Sequence, residues 1–114
     1  MKIIGNSIFM TRGDSETITV SLQDSAGVDV PLTAGDTIYF TVKPDTQTDE
    51  KILQKVVTSF TDGKAIIAIV PSDTKHLPAP IELMYDVQLS KADGSVITIV
   101  KPSKFVVEGE VTYE

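Results

Sequence analysis

The only histidine of the chain is the first residue to consider for catalytic chemistry. His76 follows Asp73 and Thr74 in a short polar segment. General-base catalysis and nucleophile activation require a histidine held beside a serine, a cysteine or a carboxylate. The chain has no cysteine, and none of its serines stands in a Gly-x-Ser-x-Gly elbow. We therefore expect His76 to be exposed to solvent, and we predict that the chain is not an enzyme and has no small-molecule substrate.

Two groups of acidic residues carry the oxygen ligands that Ca²⁺ prefers. They are Asp45, Asp49 and Glu50 in one predicted loop, and Glu108, Glu110 and Glu114 near the C-terminus. Neither group has the D-x-[DN]-x-[DN]-G spacing of a calcium loop. Glu108 and Glu110 are two residues apart and share one face of a predicted strand, as at a solvated edge. We expect neither a metal ion nor another cofactor.

Other ligand classes find little support in the residue types. Flat aromatic platforms are common in sugar sites, but the chain has no tryptophan. Of its tyrosines, we expect Tyr85 to be buried and Tyr39 to lie on an outer face, while Tyr113 is close to the C-terminus. No glycine-rich loop precedes a helix, as nucleotide binding would require. The net charge is −6 and the lysines are scattered, which disfavours nucleic acid as a partner.

The segment Arg12-Gly13-Asp14 spells a tripeptide that cell-adhesion receptors recognise. Three residues carry little information, and a glycine is what a turn between two strands requires. We interpret the segment as a turn.

Short runs of β-branched and apolar residues, separated by Gly, Asp, Asn and Pro, predict a chain of strands. The predicted strands are residues 7–11, 16–23, 37–43, 52–59, 64–70, 83–90, 95–101 and 105–112. Asp62-Gly63 and Asp93-Gly94 suit tight hairpin turns. The one predicted helical turn is residues 72–77, with Ser72 as its cap and Pro78 and Pro80 ending it.

Alternation along these strands predicts which side chains are buried. Three sets of apolar residues each fall on one face: Ile18, Val20 and Leu22; Ile38, Phe40 and Val42; and Leu83, Tyr85, Val87 and Leu89. Half-buried strands of this kind predict two packed antiparallel sheets. We therefore predict a single domain, residues 1–114, with an immunoglobulin-like β-sandwich of about seven to eight strands. A closed barrel is the alternative.

Tyr85 adds a signal for the immunoglobulin-like fold. In such domains a tyrosine commonly stands two residues before a core position, with its hydroxyl bonded to nearby backbone. Tyr85-Asp86-Val87 fits this pattern, with Val87 at the core position.

Two predicted strands, residues 64–70 and 95–101, are apolar on both faces. Exposed segments of this kind promote aggregation. Either loops or the N-terminal strand cover the second face, or another chain covers it. The second interpretation makes these strands an assembly interface, and its candidate contact residues are Ile66, Ala68, Val70, Ile97 and Ile99.

The order of these motifs resembles a family of small structural domains from the tails and baseplates of bacteriophages and prophages of Gram-positive bacteria. The resemblance covers roughly residues 12–112. It is carried by Arg12-Gly13-Asp14, residues 27–33 before Asp36, residues 38–43, residues 71–74 with Leu77, residues 85–89, Asp93-Gly94, and residues 105–107 leading to Val111-Thr112. Such a domain often forms the N-terminal module of an upper baseplate protein. The chain departs from the family pattern at residues 80–84 and 102–104.

This resemblance implies a virion structural protein, a tail or baseplate component that acts as an assembly scaffold. Its implied partners are other tail or baseplate proteins and copies of itself, in a trimer or hexamer as rotational symmetry suggests. It would be made in the cytoplasm of the host bacterium, which agrees with the absence of cysteine. The N-terminal residues show neither a signal peptide nor a membrane segment. The alternative is an immunoglobulin-like repeat of a bacterial surface adhesin.

Overall fold

The computed structural model describes residues 1–112, and within them the chain forms ten strands and one short helix. The strands are β1 (Lys2–Ile4), β2 (Ser7–Thr11), β3 (Glu16–Val20), β4 (Leu22–Gln23), β5 (Asp29–Val30), β6 (Thr37–Lys43), β7 (Leu53–Val57), β8 (Ala65–Ile69), β9 (Ile81–Ser90) and β10 (Val96–Glu108). The helix α1 (Pro71–Thr74) lies between β8 and β9. The prediction of an all-β chain is confirmed.

Six of the strands form one open sheet in the order β1-β2-β10-β9-β6-β7. All neighbours in this sheet are antiparallel except β2 and β10, which run parallel with Ile8 beside Phe105. The sheet is therefore mixed. Because β1 and β7 are its two edges and do not pair with each other, the barrel alternative is wrong.

Two smaller antiparallel sheets complete the described chain, one of β3 and β8 and one of β4 and β5. In β3 and β8 every second side chain is buried. These side chains pack against the buried side chains of the six-stranded sheet, and together they form one hydrophobic core. The alternation predicted this correctly. Ile38, Phe40 and Val42 are at most 1% exposed, while Tyr39 between them is 36% exposed.

Three aromatic rings lie at the centre of this core. The ring centroids of Phe40 and Tyr85 are 5.3 Å apart, and those of Phe105 lie 6.1 Å from Phe40 and 6.2 Å from Tyr85. The two contacts of Phe105 are close to edge-to-face, an arrangement that the ring quadrupoles favour. The three rings join β6, β9 and β10, the central strands of the sheet.

Several predicted element boundaries are wrong. The predicted strands at 95–101 and 105–112 fall on the single strand β10, which ends at Glu108. Its register against β9 shifts between Thr98 and Val100 and again between Val100 and Ser103. This irregularity accommodates Pro102 inside a strand. The predicted strand 16–23 is two strands, because β3 pairs with β8 whereas β4 pairs with β5.

The predicted helical turn also lies elsewhere. The residue that precedes α1 is Val70, and its N–H donates to the Asp73 carboxylate at 2.8 Å. Ser72 is therefore not the cap. The helix ends at Thr74. In residues 1–112 there is no helix with the length and hydrophobicity needed to cross a membrane.

Candidate functional site: apolar surfaces and a polar groove

Three apolar side chains lie on the outer face of the small β3–β8 sheet, and we call them the β8 stripe. They are Ile66 and Ala68 in β8 and Val70 directly after it. Ile66 is 42% and Val70 43% exposed, and Ala68 is exposed as well. In β3 the exposed Thr17 pairs with Ala68 and the exposed Thr19 with Ile66. The outer face of this sheet is thus an apolar stripe bordered by hydroxyl groups.

One end of the β8 stripe is fixed by charged groups. The Lys55 ammonium of β7 lies 2.8 Å from the Asp73 carboxylate of α1, and the same carboxylate accepts the Val70 N–H. These contacts tie the backbone at Val70 to α1 and to β7.

Ile97 and Ile99 lie in the first half of β10, on the other sheet. Ile97 is 39% exposed, whereas Ile99 is partly buried and packs against the core. Together with Leu22 they line a groove of about 350 Å³ between β4 and β10, which we call the β4–β10 groove. The five predicted contact residues therefore do not form one surface.

The chain itself leaves most of these residues uncovered. The N-terminal strands β1 and β2 pair with each other, and β2 pairs with the second half of β10. They cover neither the β8 stripe nor Ile97. In the described residues, therefore, the N-terminal strand does not cover the second apolar face, which was one of the two interpretations that the sequence left open. Cover by another chain stays a prediction.

The segment Arg12-Gly13-Asp14 forms the turn between β2 and β3, as predicted. The Arg12 guanidinium donates to the Glu110 carboxylate at 2.7 and 3.0 Å and to the Leu77 carbonyl at 2.7 Å. The Gly13 N–H donates to the buried Thr74 hydroxyl at 2.8 Å. The arginine side chain is thus engaged within the domain and joins the turn to the segments that follow α1 and β10.

The prediction that Glu110 lies at a solvated edge is wrong, because the parallel pairing of β2 with β10 brings it to Arg12. The hydrogen bond from Arg12 lowers the pKa of the Glu110 carboxyl. The two residues are 98 positions apart in sequence, and no local pattern relates them. One signal for such a contact is present in the sequence. Arg12 is the only arginine, and arginine is favoured where a carboxylate is bound by bidentate hydrogen bonds.

A second groove, of about 310 Å³, lies on the outer face of the six-stranded sheet and is polar. Asp86 lies in it, with Lys43, Lys51, Thr41 and Gln54 among the lining residues. Burial raises the pKa of Asp86, and the charge of Lys43 acts in the opposite direction. The sequence analysis missed this groove. Alternation shows only that the side chain of Asp86 points outward, and not that the loop with Asp45 and Thr46 lies beside it.

Tyr85 is buried, with 6% of its surface exposed, and Val87 is in the core, as predicted. The hydroxyl of Tyr85 donates to the Asn6 carbonyl in the turn between β1 and β2. The predicted bond from the hydroxyl to backbone is present, but its acceptor is 79 residues away in sequence. The hydroxyl ties the central strand β9 to the turn at the β1 edge of the six-stranded sheet.

The remaining residues that the sequence singled out are His76 and the acidic groups. His76 is exposed, as predicted. Among residues 1–112 no three His, Asp or Glu side chains lie close enough to hold a metal ion. Tyr113 and Glu114 lie outside the described residues.

Comparison with known proteins identifies no relative: no protein-family model, no curated protein and no solved structure matches the chain.

Proposed function

We propose that the chain is a virion structural protein, a component of a phage or prophage tail or baseplate that acts as an assembly scaffold. The β8 stripe is the observation that carries this proposal. Ile66, Ala68 and Val70 are exposed on one face of β8, whereas Ala65, Ile67 and Ile69 on its other face are buried. A contiguous apolar surface of this kind is typical of a contact with another protein.

The proposed fold is an immunoglobulin-like sandwich. In immunoglobulin domains of the variable type, one sheet contains strands G, F, C and C′ and the other contains B and E. The neighbours β10-β9-β6-β7 have the first order, and β3-β8 has the second. The common core of the two sheets supports the same assignment. A sandwich of this kind is a rigid body with exposed faces and edges, as a scaffold requires.

The proposed partners are copies of this chain and neighbouring tail or baseplate proteins. A tail is rotationally symmetric, so a ring-forming contact repeats three or six times. The apolar centre of the β8 stripe, with threonine hydroxyls at its border, matches the apolar core and polar rim of protein interfaces.

Substitution of Ile66 by lysine tests the stripe. We expect the wild-type chain to have the mass of a trimer or hexamer in analytical ultracentrifugation, and Ile66→Lys to lower that mass, because it places a charge in the interface. Val56→Lys is the matched control, since Val56 is 52% exposed on the other sheet and should leave the mass unchanged. A wild-type monomer would contradict the scaffold and favour the adhesin repeat.

Mass spectrometry of purified particles, induced from the source strain, tests the place of the protein. We expect the chain at a fixed stoichiometry that is a multiple of three. Intact particles without the chain would contradict the structural role.

A further inference from the structure

A row of polar side chains crosses the outer face of the six-stranded sheet and forms the floor of the polar groove. Thr41 of β6 pairs with Gln54 of β7 on one side and with Asp86 of β9 on the other. The Gln54 amide donates to the Thr41 hydroxyl at 3.0 Å. Side chains directly opposite each other on antiparallel strands are neighbours, with Cβ atoms about 4.5–5.5 Å apart. The floor is therefore a continuous polar surface over three strands.

The polar groove is bordered by a loop and by an irregular part of β10. The loop between β6 and β7 contributes Asp45, Thr46 and Lys51, and Pro102 is a lining residue as well. Pro102 lies where the register of β10 against β9 shifts, so this irregularity forms part of the groove. Its volume of about 310 Å³ is at the lower end of the range for ligand pockets, about 300–1,000 Å³. The groove is thus large enough for a small ligand.

Asp86 lies in the floor of the groove without a hydrogen-bond donor from the chain. Its carboxylate is partly buried, and among residues 1–112 it forms neither a hydrogen bond nor an ion pair. The charge of Lys43 acts on it only from beyond ion-pair distance. Loss of water from a carboxylate is costly unless hydrogen bonds replace that water. Asp86 therefore gains most from a ligand that donates hydrogen bonds.

The charges of the lining indicate a neutral ligand. The charged lining residues are two lysines, Lys43 and Lys51, and two aspartates, Asp45 and Asp86. Their charges cancel, so the groove favours neither an anion nor a cation. An ammonium group only donates hydrogen bonds and a carboxylate only accepts them. A hydroxyl group both donates and accepts, so a ligand rich in hydroxyl groups can bind to both kinds of side chain.

Tyr39 adds an aromatic ring beside the groove. It pairs with Gln88 across β6 and β9, and Gln88 is a lining residue. Tyr39 is 36% exposed, so its ring is open to a ligand. Alternation along β6 predicted that Tyr39 points outward, but only the pairing of β6 with β9 places it beside the groove.

We propose that the polar groove binds a neutral saccharide, with its hydroxyl groups bonded to Asp86 and Lys43 and one sugar ring packed against Tyr39. A sugar ring combines the two chemistries that the groove offers. Its hydroxyl groups donate and accept hydrogen bonds at the edge of the ring, and its C–H groups form an apolar face that packs on an aromatic ring. The groove and the β8 stripe lie on different sheets, so assembly through the stripe leaves the groove open.

Titration of the isotope-labelled chain, followed by the NMR signals of its backbone amides, tests the site. The neutral probes are glucose, galactose, rhamnose and N-acetylglucosamine, and inorganic phosphate is the anionic probe. We expect at least one neutral sugar to cause saturable shifts at Thr41, Asp86 and Gln88, and phosphate to cause none there. Absence of saturable shifts with all of these sugars would overturn the proposal. Equal affinity for phosphate would also overturn it, because the lysines would then bind anions.

Asp86→Asn tests the carboxylate, because it removes the charge and keeps the size of the side chain. We expect sugar binding to weaken by about tenfold or more, as for the loss of a hydrogen bond to a charged group. Glu82→Gln is the matched control. Glu82 lies on the same face of β9 and is exposed, but it does not line the groove, so this variant should bind as the wild type does. Unchanged affinity of Asp86→Asn would overturn the proposal.

Two variants of Tyr39 test the ring. We expect Tyr39→Ala to weaken sugar binding by about fivefold, and Tyr39→Phe to keep most of the affinity because the ring remains. Tyr39 is on the outer face, so both variants should stay folded, which the dispersion of the amide signals shows directly. Wild-type affinity of Tyr39→Ala would contradict the packing of a sugar on this ring.

The outcomes separate this proposal from the scaffold role. Ile66→Lys alters the β8 stripe and leaves the groove unchanged, so it should bind the sugar as the wild type does. Sugar binding by a chain that is absent from particles would support the groove and refute the virion role. A chain that is present in particles at fixed stoichiometry but binds none of the sugars would refute the saccharide site alone.

Discussion

Phe40 holds the centre of the aromatic cluster, and its removal should be among the most costly single changes. Its ring is fully buried and contacts both Tyr85 and Phe105. We expect Phe40→Ala to lower the free energy of unfolding by about 3–5 kcal/mol, through lost burial and the cavity that it leaves. Urea unfolding followed by circular dichroism measures this.

The adjacent residue supplies the control for that prediction. Tyr39 lies on the outer face with 36% of its surface exposed, so Tyr39→Ala should cost about 1 kcal/mol or less. Similar losses for the two variants would mean that the assigned inner and outer faces of β6 are wrong.

The Arg12–Glu110 ion pair makes the stability depend on pH. The hydrogen bond from Arg12 lowers the pKa of Glu110 in the folded state from its ordinary 4.5. A carboxyl whose pKa is lowered by folding stabilises the protein above its unfolded pKa, and this contribution is lost as the pH falls through the folded pKa. We expect Glu110→Gln to reduce the loss of stability between about pH 5 and pH 3.

Unfolding by urea across that pH range is the measurement, with Glu108→Gln as the control for removal of a nearby carboxylate. Asp93, whose pKa is also lowered, remains in every variant and contributes equally. A Glu110→Gln curve that runs parallel to the wild-type curve would show that the ion pair adds nothing.

At the scale of the elements, the tight turn from Thr61 to Lys64, in the connection between β7 and β8, depends on Gly63. Asp62 and Gly63 both have positive φ, at 52° and 74°, as a type I′ turn requires. A Cβ on Gly63 would lie 3.0 Å from the Cα of Pro31, and the Gly63 carbonyl accepts the Leu32 N–H at 2.9 Å. This turn thus fixes the position of the loop that carries the buried Leu32.

We expect Gly63→Ala to destabilise the domain more than Gly94→Ala. Both positions have positive φ, which costs a residue with a side chain about 1–2 kcal/mol, but a Cβ at Gly94 would meet open space. Thermal unfolding of the two variants measures the difference, which reports the contact with Pro31. Equal losses would show that this contact relaxes at no cost.

Alternation predicted the elements whose faces differ in polarity. The bounds of β2 and β6 match the predicted ones, because Ile8 and Met10, or Ile38 and Phe40, are separated by residues of the opposite face. Alternation could not predict β1 and β5, which have only three and two residues. These strands are defined by their pairing with β2 and β4 and not by a pattern of their own. The predicted strands left residues 102–104 out of β10, because the sequence does not show that a shift in register admits Pro102 inside a strand.

The candidate site was likewise predicted only in part. Ile66, Ala68 and Val70 share one face of β8, and the structure places them outside. Because both faces of this strand are apolar, its polarity pattern does not show which face is buried. The sequence could not show that Ile97 belongs to the other sheet, because sheet membership depends on pairing between distant strands. The same limit applies to the Arg12–Glu110 pair.

At the scale of the whole molecule, the β8 stripe carries the proposed ring contact, and a ring of three or six copies is closed by one contact that repeats from copy to copy. We expect Ile66→Lys to leave a monomer, because a single kind of contact holds the ring together. Native mass spectrometry distinguishes these species, and a trimer or hexamer that survives the change would contradict the arrangement.

The parallel pairing of β2 and β10 also determines how the domain responds to tension. A pull on the two chain ends would first unzip β1, whose hairpin with β2 opens one bond after another. The load would then act along β2 and β10, where the four paired positions from Ile8 to Thr11 would be sheared together instead of in succession. The backbone bond from Arg12 to Glu108, at 2.8 Å, and the Arg12–Glu110 ion pair lie on the same line. Resistance to forced unfolding is set by the unfolding rate and not by equilibrium stability, so we expect this clamp to raise the force at which the domain unfolds.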